Sequence, residues 1–164
     1  PPPPPGFLPQ LWYQFALNLP VGEANLVQDP TGFIYAIWDR WTPSWDKVLK
    51  DEAFRSAWPS WQNPDFVPIT LTAYSYIGRG YDPNLAELEE RLANGPVVPV
   101  PAVIIQGADD PLERPEITAS HDERMFGAGL IRYVLPETGH WPHRESPEEV
   151  VRILIDSLAT KVEN

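Results

Sequence analysis

Two short stretches carry side chains whose chemistry is complementary. Residues 107–111 read Gly-Ala-Asp-Asp-Pro and residues 139–143 read Gly-His-Trp-Pro-His. A histidine acts as a base only when one ring nitrogen holds the proton and the other is free, and a carboxylate that accepts the first N–H fixes this tautomer. Asp109 or Asp110 with His140 therefore reads as the orienter and the base of a hydrolytic relay. Each motif alone has a simpler explanation, since Gly-Ala-Asp-Asp-Pro would also serve as a surface turn. What favours chemistry is that both follow short apolar runs, in the order acid then base. His143 lies on the approach to a closing helix and is expected at the surface.

Holding an acid and a base at fixed separation calls for strands. The run "VVPVPAVIIQG" reads as a buried strand of parallel type, and "LIRYVLPE" as a second. Between them Pro115–Phe126 is a helix candidate. After them "SPEEVVRILIDSLA" is another, with Ser146 as N-cap, Pro147 in the first turn and Glu149 completing a capping box. Strand, helix, strand, helix is the order of βαβ units in an α/β sheet, where the loops beyond the carboxyl ends of the strands form the site. Both motifs occupy such loops. Two strands alone leave an edge and an uncovered face, so this half requires more sheet than it contains.

The preceding residues read differently. Pro1–Pro9 is expected to be an extended linker, because proline lacks an N–H and has a fixed φ. From Leu11 to about Asn94 the apolar residues recur at helical spacing. "DPTGFIYAIWDRW" places Asp29 as N-cap and Pro30 at the first helical position, with Phe33, Ile34, Ile37, Trp38 and Trp41 along one face. Further helices are expected over Leu11–Leu19, about Lys47–Trp58, from "NPDFVPIT" to about Ile77, and over "NLAELEERLANG", where Leu85, Leu88 and Leu92 line one side. "NGP" at 94–96 ends the last of these, Gly95 suiting a helix C-terminus and Pro96 unable to continue it. The domain reading is a linker over 1–10, a helical region over 11–95 and an α/β region over 96–164.

Composition narrows the function. With 23 acidic against 12 basic side chains and no basic run, neither nucleic acid nor an anionic membrane surface is an expected partner. There is no cysteine, which removes disulfides, thiolate metal sites and a cysteine nucleophile. No apolar run approaches the ~18 residues of a bilayer span and no signal pattern opens the chain, so the cytoplasm is the default location. An apolar fraction of 43% supplies a core.

"VPAVIIQGADDPL", followed about thirty residues later by "YVLPETGHWPHRESPEEVV", resembles the end of an α/β-hydrolase domain. "LWYQFALNLPVGEA", "AIWDRWTPSW" and "FRSAWPSWQNPDFVPITLTAYSY" resemble the helical cap of the epoxide-hydrolase-like branch of that superfamily. The fold implied is the C-terminal half of an α/β-hydrolase, a helical cap followed by the last two strand-helix units of a mainly parallel sheet. In this pattern the acid stands three residues after the strand-ending glycine, which selects Asp110 over Asp109. The resemblance assigns Tyr13, followed by Gln14, and Tyr74 as hydroxyl donors to the substrate oxygen. Tyr76 competes with Tyr74, because relatives show Tyr-Arg where this chain has Tyr-Ser-Tyr. Gln14, Trp12, Tyr76 and Trp141 are the substrate-binding candidates. An epoxide oxygen leaves poorly unless it is hydrogen-bonded as charge develops, and phenols donate while remaining neutral, so two tyrosines suit that task. The other cap tryptophans are explained by aromatic packing.

The same resemblance implies a nucleophile on a Gly-x-Asp-x-Gly or Gly-x-Ser-x-Gly elbow preceding the cap, and no such segment occurs here. The chain is therefore expected to work with a companion N-terminal half that carries the nucleophile and oxyanion hole, and to be inactive alone. The expected reaction is hydrolysis of a small apolar epoxide through an alkyl-enzyme ester, without cofactor or metal. The alternatives are haloalkane dehalogenase or serine esterase chemistry on the same scaffold, and a non-catalytic half that binds a ligand or a protein.

Overall fold

In the computed structural model the described residues are 5–79, 86–95 and 97–159, with the side chains of 76–79, 86, 89 and 120–124 outside the description. The chain divides into two compact units, one of Pro1–Arg40 with Asp51–Asn94 and one of Trp41–Lys50 with Gly95–Asn164. The second unit thus combines the chain from Gly95 onward with the Trp41–Lys50 segment. Its Thr42 is fully buried and Trp45 and Lys50 are buried, and the Lys50 ammonium donates to the Thr42 carbonyl at 3.5 Å.

The first unit is helical. A 3₁₀-helix over Pro5–Leu11 leads into α1 (Trp12–Ala16), α2 (Pro20–Gln28), α3 (Pro30–Trp41), α4 (Lys47–Trp61), α5 (Phe66–Arg79) and α6 (Ala86–Ala93), two of which reach into the Trp41–Lys50 segment at their ends. The extended linker expected over the opening prolines is thus corrected from Pro5 onward. Proline's fixed φ falls within the 3₁₀ range, and its missing N–H costs nothing in the first turn of a helix. The single helix expected over Leu11–Leu19 is instead α1, with α2 following. Pro20 explains the break: the residue before a proline is driven out of the helical region, and Leu19 is extended at φ −120° and ψ 148°.

Asp29 does cap α3, its Oδ1 accepting the Gly32 amide at 2.8 Å, with Pro30 as the first helical residue. On the face of α3, Phe33, Ile37 and Trp38 are buried. α4 runs through Pro59 to Trp61, past the end expected from sequence. Trp61 packs on Phe54 at 4.4 Å between ring centroids and on Trp38 at 6.1 Å, contacts that hold the last turn together. At the end of α6 Gly95 has φ +63°, the left-handed value at which glycine is favoured. Leu85 lies outside the described residues, while Leu88 and Leu92 are exposed.

The second unit contains β1 (Ala102–Gly107), α7 (Pro115–Met125), β2 (Leu130–Leu135), α8 (Pro142–Glu145) and α9 (Pro147–Ala159). β1 and β2 pair in parallel, from Ala102 opposite Leu130 to Gly107 opposite Leu135. The in-register ends bring the two loops carrying the acid and the base side by side. The core is Leu135, Val150 and Ile153 with Val103, Ile105 and Tyr133 against them. Each fully buried aliphatic side chain there contributes roughly 1.5–3 kcal/mol. The capping box expected at α9 does not form. The Ser146 hydroxyl pairs with that of Thr138 at 2.9 Å, and the Glu149 carboxylate takes the Arg152 guanidinium.

Apolar side chains also point outward from this unit. Ile131 and Val134 on β2 and Val151, Leu154, Ile155 and Leu158 on α9 are all exposed, the uncovered surface expected of a two-stranded sheet. No described helix is long and apolar enough to cross a membrane.

Candidate active site

The loop after β1 and the loop after β2 are laced together by main-chain bonds. Ala108 N donates to Leu135 O at 2.8 Å and Asp109 N to Thr138 O at 2.9 Å. So close is this approach that a Cβ on Gly107 would collide with the carbonyls of Thr138 and Gly139. Only glycine fits there, which gives the strand-ending Gly a steric reason.

Within this frame the two aspartates part company. Asp109 is exposed and accepts the Ser44 hydroxyl. Asp110 is buried, and its two oxygens divide the work: Oδ1 accepts the amides of Leu112 at 2.8 Å and Glu113 at 3.1 Å, while Oδ2 lies 2.9 Å from His140 Nδ1. Burial alone would raise the Asp110 carboxyl, but the hydrogen bonds from His140, Glu113 and Leu112 outweigh it and hold the group below its ordinary value. The carboxylate is thus ionised and can accept the Nδ1–H. That assignment leaves His140 Nε2 as the free lone pair. The His140 side chain is 25% exposed against 5% for Asp110, so the base is reachable by water and its orienter is not.

His140 is fixed from several sides. Its amide donates to the Trp41 carbonyl at 2.9 Å, and its ring meets Trp41 edge-on at a centroid distance of 4.9 Å. Trp141 packs at 6.1 Å from the imidazole and 5.6 Å from Trp41. Glu145 is the residue that sequence reasoning missed. Its Oε2 accepts the Gly139 amide at 2.8 Å and its Oε1 the Trp141 amide at 2.9 Å, one on each side of the base. Burial pushes the Glu145 carboxyl above its ordinary value, the two amide bonds oppose this, and the charge of Asp110 adds to it. The available signal was a glutamate four residues after the helix N-cap Trp141, close to capping-box spacing. Trp41 and Ser44 were also missed as neighbours of the site, having been read only as part of the helical region. His143 is exposed on α8, as expected.

The helical unit gathers a second group of the candidates. Tyr13 on α1 is buried, and its ring meets that of Tyr74 on α5 edge-on at 5.5 Å. Gln14 Nε2 donates to the Tyr13 hydroxyl at 3.0 Å. Asn18 ties the two helices, donating to Gln14 O at 2.8 Å and Tyr74 O at 3.0 Å. Trp12 packs on Tyr13 at 6.4 Å and on Phe33 at 5.2 Å. Tyr76 lies on α5 with its side chain outside the described residues. Among the described residues no group of three or more His, Cys, Asp or Glu is arranged to hold a metal ion.

Comparison with known proteins decides the family, since residues 1–153 match the alpha/beta hydrolase family. The chain belongs to it. Among curated proteins this chain is similar to the epoxide hydrolase srdG of Neurospora crassa, 40% identical over 59 residues, which is 36% of this chain and 17% of that protein. Its fold superposes on the crystal structure of a candidate epoxide hydrolase from Klebsiella pneumoniae with a TM-score of 0.81 and 31% identity, covering 95% of this chain and 51% of that one. Cfl2 of Burkholderia cenocepacia shares the fold alone, with a TM-score of 0.66 at 16% identity over 94% of this chain and 50% of its own. The chain spans about half the length of these two solved proteins.

Proposed function

We propose that this chain carries the acid–base pair and the oxygen-holding tyrosines of an epoxide hydrolase whose nucleophile lies on a companion N-terminal segment. In the first step a carboxylate of that segment attacks an epoxide carbon. The C–O bond breaks, and the departing oxygen takes a proton from Tyr13 or Tyr74. In the second step His140 Nε2 removes a proton from water, the water oxygen attacks the ester carbonyl, and the acyl–oxygen bond breaks to free the diol and regenerate the carboxylate. Asp110 holds the imidazole in the required tautomer and stabilises the imidazolium that forms.

The observation that carries the epoxide reading is the Tyr13–Tyr74 pair, two phenol rings edge to face with centroids 5.5 Å apart and Gln14 on the Tyr13 hydroxyl. An ester or amide substrate needs no such pair, because its oxygen is served by an oxyanion hole. The companion segment is further supported by the outward apolar side chains of β2 and α9, which a fuller sheet would cover. Substrate is expected to be small and apolar, with Gln14, Trp12, Tyr76 and Trp141 among its contacts. The test is Tyr13→Phe in the full-length protein. Epoxide opening is expected to slow by about 10²-fold, the order seen on losing one donor to a developing oxyanion. An unchanged rate would refute the assignment. Binding of an epoxide without turnover in the wild type would replace it with a ligand-binding role.

A further inference from the structure

Glu145 is not explained by the acid–base pair, and its surroundings are unusual for a helix cap. The helix it would cap, α8, has only four residues. The carboxylate is half-buried close to Asp110, and placing a second negative charge there is costly. A cap at the protein surface would avoid that cost. What the position supplies is two acceptor oxygens on one rigid plane, each taking the amide that flanks His140, at 2.8 Å from Gly139 and 2.9 Å from Trp141. The amide of His140 itself goes to the Trp41 carbonyl at 2.9 Å. All three consecutive N–H groups of the base loop therefore end on fixed acceptors, two of them on one side chain. Gly139 is packed so closely that a Cβ there would meet Trp41 O at 2.5 Å and Glu145 Oε2 at 3.2 Å. The loop has no slack through which a lost bond could be replaced.

We propose that Glu145 is a positioning residue for the base, clamping the main chain on both sides of His140 so that the imidazole stays aligned with Asp110 and with the attacking water. A carboxylate is required for this and an amide is not equivalent. Glutamine offers one acceptor oxygen and turns its NH₂ toward an amide N–H, so one clamp bond becomes a donor–donor clash. Aspartate keeps both acceptors on a shorter stem. Glu145 holds main-chain amides rather than the imidazole itself, so its effect falls on the step His140 drives. The two-step consequence rests on the epoxide-hydrolase reading above, whereas the clamp itself does not.

The experiment compares wild type, Glu145→Asp and Glu145→Gln in the full-length protein with two readouts. Hydrogen exchange of the Gly139 and Trp141 amides, together with the low-field imidazole N–H resonance of His140, reports the clamp without any substrate. Single-turnover kinetics separates ester formation from ester hydrolysis. In Glu145→Gln the amide left facing the NH₂ is expected to lose protection, the low-field proton to broaden into exchange with water, and ester hydrolysis to slow by about 10- to 100-fold, the order that follows a misplacement near 1 Å. Ester formation should stay within about twofold, and Glu145→Asp should fall between, since it keeps both acceptors. Unchanged exchange and an unchanged low-field proton in Glu145→Gln would overturn the proposal. So would a loosened amide with hydrolysis at the wild-type rate, or equal slowing of both steps, which marks a general structural role. If the wild-type protein opens no epoxide, the reaction reading fails, and the substrate-free readouts still decide the clamp. If Glu145→Gln does not fold, Glu145→Asp decides by the same readouts.

Discussion

Replacing Asp110 by asparagine tests the acid–base pair with little disturbance of the fold. Asparagine is isosteric, and its carbonyl oxygen can keep the two amide bonds that Asp110 Oδ1 accepts, from Leu112 at 2.8 Å and Glu113 at 3.1 Å. The NH₂ then occupies the place of Oδ2, 2.9 Å from His140 Nδ1, and donates where the carboxylate accepted. The imidazole answers by carrying its proton on Nε2, the nitrogen that must be free to take a proton from water. The analogous change in a serine protease lowers kcat about 10⁴-fold, or about 5.4 kcal/mol in the barrier. A loss of about 10³- to 10⁴-fold in the ester-hydrolysis step is expected here, on the same tautomer logic. Stability should respond differently. Asp110→Asn keeps the amide caps and sheds a buried charge, so unfolding should change by no more than about 1 kcal/mol. Asp110→Ala strands two amides at roughly 1–3 kcal/mol each and should melt well below it. The assay is single-turnover kinetics of the full-length protein beside thermal unfolding of the three proteins. Hydrolysis within tenfold of wild type in Asp110→Asn would refute the tautomer argument.

Two further predictions follow from the loops and the charges around them. Gly107→Ala drives a Cβ into the carbonyls of Thr138 and Gly139, which are backbone and cannot rotate away. A destabilisation of more than about 3 kcal/mol is expected by denaturant titration, beyond the usual overpacking cost of about 1–3 kcal/mol for side chains that can shift. Asp110 is held below its ordinary carboxyl value, so its ionised form is favoured by the fold. Its contribution should be complete above about pH 5 and lost as pH falls through its lowered value. Glu145 is raised and has the opposite sign, its stability cost growing as pH rises from the ordinary carboxyl range through its raised value. Melting temperatures from about pH 2 to pH 7 should therefore fall less steeply toward acid in Asp110→Asn than in wild type, if the linkage is as assigned. Equal slopes would contradict it.

Much of the second unit was legible because its signals are local. An apolar run ending in Gly107 and a second, shorter one a few residues before Gly139 are enough to place β1 and β2, and their parallel direction follows from the intervening helix. Asp110 and His140 were then found by position, since loops after adjacent strand ends must lie together. The helices of the first unit were legible where caps are explicit, as at Asp29 and Pro30. Elsewhere tertiary contacts decided. The kink at Leu19 comes from Pro20, a restriction visible in the sequence but outvoted by the apolar spacing on either side. Ser146 and Glu149 had the letters of a capping box, yet Thr138 and Arg152 compete for them. Trp41–Lys50 reads from sequence as part of the helical region, and its place beside His140 is seen only in tertiary contacts, the His140 amide on the Trp41 carbonyl, the Trp41 ring against His140 and Trp141, and the Ser44 hydroxyl on Asp109. Glu145 escaped for a similar reason, because a glutamate among surface-type neighbours gives no sign that both its oxygens turn inward.

The central claim is that His140 hydrolyses an ester formed on a residue outside this chain, and intact-mass measurement tests it directly. Full-length His140→Gln protein, mixed with a small apolar epoxide, should gain the mass of one substrate and retain it, while wild type under the same conditions shows only the unmodified mass as diol accumulates. Should His140→Gln form no adduct, or turn over at the wild-type rate, the account is contradicted.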